Sequence, residues 1–391
     1  MSVKTGLDCI ENKWPMELNG RSTGLLVHAA SVNRKLKHAV DVIAGRRDVH
    51  LRALFGPQHG IRGETQDNMV EWEGSMDVKA GLPVYSLYGH SREPDRNMLE
   101  NVDVLVIDVQ DIGSRYYTFI WTMDLCMRAC LLMDKSIVVL DRPNPVNGVS
   151  VEGPVLDPAF ASFVGGHPLP VRHGMTIGEI GKYLWKEFYP ALDFHVVPIE
   201  GWNRKTWFEK TGLPWVLPSP NMPSLETATV YPGMCLLEGT NLSEGRGTTR
   251  PFEIFGAPFI EPESLVKELN RYRLPGIFFR PMCFRPAFQK YADELCGGAQ
   301  LHVTKREKFR PFKTGVAVLK AVHDLYPEQF AWKEPPYEYE EVKLPIDILS
   351  GTDRLRKDIE RGEKLNEMEA WWTEQCREFD ITIRKRYLIY E

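Results

Sequence analysis

Short apolar runs alternate with amphipathic stretches along the first half of the chain, and that alternation constrains the fold more than any other feature. Gly24–Ala30 (GLLVHAA), Leu51–Phe55, Asp103–Val109 (DVLVIDV) and Ser136–Leu140 (SIVVL) read as strands apolar on both faces. Such strands, separated by helix-length segments, imply a parallel sheet covered on both sides. Pro83–Tyr88 and Phe194–Ile199 add shorter strands, and a long helix is expected from about Tyr116 to Met133. Ser31 is placed to cap a helix with the apolar face Val32, Leu36, Val40 and Ile43. Thr176 and Glu179 form a capping-box pattern ahead of a helix over Ile177–Phe188.

The second half has a different rhythm. Helices are expected at about Pro262–Arg273, Phe312–Tyr326, Asp353–Arg361 and Asn366–Phe379, with strands at Ile277–Phe284, Ala299–Thr304 and Ile381–Arg384. The expected fold class is therefore α/β, with a parallel-sheet N-terminal domain and a smaller α+β C-terminal domain. A Trp- and Pro-rich stretch over residues 201–235 reads as a long ordered loop. It places the boundary near Ala228–Pro232, dividing the chain into residues 22–229 and 230–391.

Composition excludes several classes. The chain has 48 basic and 53 acidic residues, a net charge of −5, so no global field draws it to nucleic acid or an anionic membrane. Seven cysteines, without a CxxC, suggest neither a disulfide framework nor a zinc site, and Cys126 and Cys130 read as buried thiols. Neither a Walker A loop nor a GxGxxG occurs, and there is no HExxH, so no cofactor or metal is expected. No apolar run reaches the roughly 18 residues of a membrane span. The N-terminus as written lacks a signal-peptide core, so the cytoplasm is the expected location, with export open if the true start lies elsewhere.

The 31 glycines and 28 prolines gather in compact polar clusters. In a parallel sheet, ligands bind beyond the carboxyl ends of the strands. Three expected strand ends carry such clusters: Gly56–Gly63 (GPQHGIRG) followed by Glu64, Gln110–Tyr117 (QDIGSRYY), and Asp141–Gly148 (DRPNPVNG) followed by Glu152. Val171–Glu179 places Arg172 and His173 ahead of a helix N-terminus, a natural anion site. The Gly-rich stretch Glu238–Thr248 offers Glu238, Asn241, Glu244 and Arg246. Among the carboxylates, Glu64, Asp111, Asp141, Glu152, Glu238 and Glu244 are candidates for the pair that glycoside cleavage requires. Arg62, Arg115, Arg172 and Arg246 suit a ligand carboxylate, and a rim aromatic such as Tyr116 suits a sugar face. His59 and His173, beside Gly and Arg, are candidates for proton transfer. Blander readings stand beside these: Asp141 as a turn cap, Glu244 and Arg246 as a structural bridge. A metal-dependent hydrolase using His59, Asp108, Asp111, Asp141 and His173 is a weaker possibility. The residues alone give a cleft for a polar, anionic small ligand.

GPQHGIRG, DIGSRYYTF, DRPNPVNG, LPVRHGMTIGE, PSPNMPS, YPGMCLLEGTNLSEGRGTTRPFE and the closing RYLIYE occur in this order. Together they resemble the exo-β-N-acetylmuramidase (NamZ) family, over about residues 22 to 391. The resemblance implies a Rossmann-like N-terminal domain, a smaller C-terminal domain and an active site in the cleft between subdomains. It implies release of N-acetylmuramic acid from the non-reducing end of peptidoglycan fragments, with the lactyl carboxylate accounting for the arginines. It adds Asn144 and Asn221, which lie in its motifs, as substrate-binding candidates. The family pattern reads GPEHG, with its Glu a proposed catalytic residue; here that position is Gln58, which is neither acid nor base at neutral pH. Either Glu64 or another rim carboxylate takes over, or activity is altered or lost, or the family's Glu is not essential. The leading expectation is a working hydrolase with Glu64 or another rim carboxylate; the alternative is a catalytically silent muropeptide-binding protein.

Overall fold

The computed structural model describes residues 2–12, 14–66 and 69–391. Its strands are β1 (Ser22–Val27), β2 (His50–Gly56), β3 (Ser75–Asp77), β4 (Leu82–Ser86), β5 (Val104–Asp108), β6 (Ser136–Leu140), β7 (Glu152–Val155), β8 (Pro170–Arg172), β9 (Phe194–Val197), β10 (Ile254–Ala257), β11 (Ile277–Phe284) and β12 (Cys296–Val303). Seven of them form one sheet in the order β3-β4-β2-β1-β5-β6-β9. Its pairings are parallel except that of β3 with β4. Every residue of β5 and β6 is buried, as continuous apolar runs require of strands covered on both faces.

The chain first winds outward from β1 through β2 to β4, then returns across β1 to β5 and on to β6 and β9. This reversal leaves a crevice at the carboxyl ends of β1 and β5, where open α/β sheets bind ligands. Here His28 fills it. Its Nδ1 lies 3.0 Å from the Pro218 carbonyl oxygen and its Nε2 accepts from the Gln110 N–H at 2.8 Å. Burial pushes its pKa down to about 3, so the ring is neutral. The loops leaving β2 and β5, not the crevice itself, carry the residues that reach the cavity described below.

The second half packs directly on the first. β10, β12 and β11 form an antiparallel sheet, and one hydrophobic core runs from Trp121 and Ile180 through Tyr231 to Phe312 and Trp372. The helix Leu225–Met234 lies against the helix Pro311–Leu325. They approach so closely that a Cβ on Gly233 would collide with the Pro311 carbonyl, and one on Gly315 with the Gly233 carbonyl. This contact fixes the next turn, Cys235–Gly239, which carries Glu238. No helix among the described residues is long and apolar enough to cross a membrane.

Some local expectations differ from the structure. The helix expected after Ser31 is confined to Ala39–Ala44 and is capped by His38. Ser31 is drawn elsewhere: its hydroxyl accepts from the His28 N–H and donates to the Asp108 carbonyl. The long helix begins at Phe119 rather than Tyr116. Ile381–Arg384, β-branched and expected as a strand, continues a helix as a π turn. There Arg384 bonds the Gly148 and Gly174 carbonyls, a tertiary demand that overrides β propensity. The capping box is present as expected, with Thr176 and Glu179 bonding each other's backbone N–H groups. Gly233→Ala is expected to lower stability by roughly 1–3 kcal/mol through overpacking, read as a lower urea midpoint. An unchanged midpoint would contradict the close helix contact.

Candidate active site

A small cavity of about 40 Å³ lies between the two halves of the chain. From the first half come Gln58 and His59 after β2, Tyr116 to Phe119 at the start of the long helix, and Ser219, Asn221 and Met222. From the second come Tyr231, Glu238, Arg246, Phe252, Tyr337 and Glu338. The sheet thus supplies loops to one wall, and the turns around residues 238 and 338 supply carboxylates to the other.

The two carboxylates are held differently. Glu238 receives Nη2 of Arg246 at 2.9 Å and the Tyr337 hydroxyl at 2.6 Å. Glu244, 3.4 Å from Arg246 Nε, is held in turn by the Lys290 ammonium at 3.1 Å. Burial alone would raise Glu238, but Arg246 and the Tyr337 hydroxyl outweigh it and hold its carboxyl below the ordinary range. Glu338 accepts from the Tyr88 hydroxyl at 2.8 Å and from the Gln58 amide at 3.4 Å, and no cation among the described residues is bonded to it. Burial, reinforced by the Glu238 charge, pushes it up to about 7. Gln58 is itself oriented, because its carbonyl accepts from the Thr118 hydroxyl at 2.8 Å and its amide donates to Tyr88 at 3.0 Å. One buried carboxylate is therefore ionised at neutral pH while its neighbour keeps a proton over much of that range, the separation that distinguishes base from acid.

Glu338 sits at the tip of a tight turn closed by two backbone bonds between Tyr337 and Glu340, 3.0 Å each. Glu338 and Tyr339 have φ of 46° and 67°. Two-residue turns of this kind favour Asn and Gly, since a side chain at positive φ is strained. Sequence reasoning missed Glu338 for that reason: PPYEYEE carries no turn signature. The available signal was a carboxylate between two tyrosines just after a Pro-Pro breaker.

The structure brings Gln58, His59, Tyr116, Asn221, Glu238 and Arg246 to the cavity. Glu244 stands behind Arg246. The His59 Nδ1 donates to the Thr65 carbonyl at 2.8 Å, fixing its tautomer. Other candidates lie elsewhere. Glu64 is exposed and accepts from the Arg62 N–H at 3.0 Å, and Arg62 pairs with Asp77 at 2.8 Å. Asp141 is buried at the N-terminus of the helix Ile177–Phe188, accepting from the Gly178 N–H and from the Thr176 and Tyr390 hydroxyls. Burial pushes it up to about 7. Asp111 accepts from the Gly113 N–H at 2.6 Å and lies 3.3 Å from His173, whose Nδ1 accepts from the Met175 N–H.

Of the candidate arginines, Arg246 reaches the cavity and the others are placed among different partners. Arg115 is fully buried and donates to the carbonyls of Pro154, Leu169 and Leu349. Arg172 donates to the Val146 carbonyl, and Glu152, across the β7–β8 pair, accepts from the Lys313 N–H. Asn144 bonds the Met175 carbonyl and the Val146 N–H; Asn241 bonds the Gln329 carbonyl and the Ala331 N–H. Buried loops without regular ladders must satisfy their backbone groups with side chains, and these residues do so. Asp108 pairs with Arg142 at 2.6 Å, and among the described residues no three His, Cys, Asp or Glu side chains converge as ligands.

Comparison with known proteins gives consistent matches across the chain. Residues 23–226 match the family described as exo-beta-N-acetylmuramidase NamZ, N-terminal, and residues 229–390 its C-terminal counterpart. The peptidoglycan beta-N-acetylmuramidase NamZ of Bacillus subtilis (strain 168) is 46% identical over 388 residues, covering 99% of this chain and 91% of that protein. Two crystal structures of DUF1343 family proteins from Bacteroides fragilis NCTC 9343 share the fold. One has a TM-score of 0.89 at 33% identity and the other 0.79 at 30%, each covering 100% of this chain and 99% of its own. The chain therefore belongs to the NamZ family of exo-β-N-acetylmuramidases.

Proposed function

We propose that this cavity is where an exo-acting glycoside hydrolase holds a terminal N-acetylmuramic acid and releases it from the non-reducing end of peptidoglycan fragments. The observation that carries the reading is the pair of buried carboxylates with opposite proton preferences in one small cavity. Glu338, protonated, donates to the glycosidic oxygen as the bond breaks. Glu238, ionised and held by Arg246 and Tyr337, is the second carboxylate that the oxocarbenium-like transition state requires. Gln58 is a positioning residue: its amide orients Tyr88 and Glu338 without competing for the proton. The catalytically silent alternative rested on Gln58 and is not supported, since the chain belongs with hydrolases.

Purified protein is expected to hydrolyse both nitrophenyl N-acetylmuraminide and the N-acetylmuramic acid–N-acetylglucosamine disaccharide. Glu338→Gln is expected to cut kcat on the disaccharide by about 10²–10⁴-fold and to affect the nitrophenyl substrate less, because nitrophenolate leaves without a proton. Glu238→Gln is expected to impair both, and Glu64→Gln neither. Equal losses on the two substrates in Glu338→Gln would remove it as the acid. The wild-type kcat/KM should fall as pH rises through about 7, and Glu338→Gln should lose that limb.

Stability reads the same group independently. A carboxyl raised from 4.5 to about 7 on folding opposes ionisation, so stability falls as pH rises through that window. Between pH 4 and pH 8, Glu338→Gln is expected to gain roughly 3 kcal/mol relative to wild type, measured by urea unfolding at each pH. A difference independent of pH would contradict the raised value.

A further inference from the structure

A second, open cleft of about 590 Å³ lies on the other side of the Glu338–Tyr339 turn. Glu338 borders both spaces, whereas Glu238 and Arg246 border only the small one. The partition between them is aromatic: Tyr88, Phe163 and Tyr339 meet one another with ring centroids 5.7–6.3 Å apart. We propose that this cleft holds the leaving part of the substrate, an amino-sugar glycan carrying carboxylates on its lactyl or peptide branches. The inference rests on the assignment of Glu338 as the acid. An acid that protonates the bridging oxygen stands at the border between the sugar released and the sugar that leaves. The leaving chain must then extend to the side of Glu338 away from Glu238, and that side is this cleft.

The lining fits such a chain. Phe163 and Tyr339 offer rings against which a pyranose can pack. Arg92 lies over the Tyr339 ring at 3.7 Å, and no carboxylate among the described residues is paired with it. Among the described residues, Arg128 is paired with Glu93, His167 with Asp124 at 3.2 Å, and Glu340 with Lys343 at 3.3 Å. Arg92 is thus the cation left to receive a carboxylate. A rival opening of about 250 Å³ borders the small cavity through His59 and Ser219 and contains Arg62, but Arg62 is paired with Asp77 and neither catalytic carboxylate lines that opening.

The test compares two substrates across three variants. Nitrophenyl N-acetylmuraminide places only a nitrophenyl group beyond the bond; a tetrasaccharide of alternating N-acetylmuramic acid and N-acetylglucosamine extends a further carboxylate beyond it. Arg92→Ala is expected to raise KM for the tetrasaccharide and to lower its kcat/KM, relative to the nitrophenyl substrate, by about tenfold. Arg128→Ala, which frees Glu93 to repel the chain, is expected to act in the same direction. The proposal is overturned if neither variant moves that ratio, or if Arg62→Ala moves it instead. If wild-type protein hydrolyses neither substrate, the hydrolase reading fails. Calorimetric binding of the tetrasaccharide then decides the cleft: weakening by Arg92→Ala supports it, and equal binding overturns it.

Discussion

The site depends on one buried ion pair. Glu238 is removed from water, and a carboxylate can stay ionised there only if cations and hydrogen-bond donors replace its hydration. Arg246 and Tyr337 do so; the arginine is balanced in turn by Glu244, and Glu244 by Lys290, giving a chain of alternating charges. Lys290 also donates to the carbonyls of Leu237 and Leu242, so the charge chain pins the backbone that carries it. With Arg246 committed to Glu238, nothing equivalent is left for Glu338. Its neighbours, Tyr88 and Gln58, are neutral and cannot offset both burial and the nearby negative charge. The proton on Glu338 is thus a consequence first of its burial, to which the Glu238 charge adds.

The surrounding fold serves that asymmetry by bringing distant segments together. β2 and the helix after β5 place Gln58 and Thr118 within hydrogen-bonding distance. The backbone contact at Gly233 and Gly315 sets the turn bearing Glu238, and a strained turn 100 residues further along the chain delivers Glu338. Much of the remaining polar inventory holds loops in place. Arg115 alone ties the carbonyls of Pro154 and Leu169 to that of Leu349, linking the two halves beside the cavity.

The fold was legible where local pattern and tertiary demand agree. Ser136–Leu140 and Ile277–Phe284 are strands at the expected bounds, and the Thr176 capping box is formed. It was illegible where a distant partner decides: Ser31 is taken by Asp108, and Ile381–Arg384 by the Gly148 and Gly174 carbonyls. The same division runs through the site. Glu238 and Arg246 stood out because they sit in a Gly-rich polar loop, and Gln58 as a departure from the family pattern; all three line the cavity. Arg115, Arg172 and Asp141 stood out for the same reason, but a sequence does not show that their partners are backbone groups of buried loops. Glu338 is 280 residues from Gln58, and its proximity to Gln58 is something a local motif does not encode.

The proton states of the two carboxylates are the centre of this account and can be observed directly. Carbon-13 NMR of protein labelled at the glutamate carboxyls, assigned with Glu338→Gln and Glu238→Gln, would follow both titrations in the intact fold. The account predicts a Glu338 resonance titrating near 7 and a Glu238 resonance still ionised below the ordinary carboxylate range. A Glu338 that titrates at about 4.5, or a Glu238 that titrates above it, would contradict the assignment of acid and partner on which the mechanism stands.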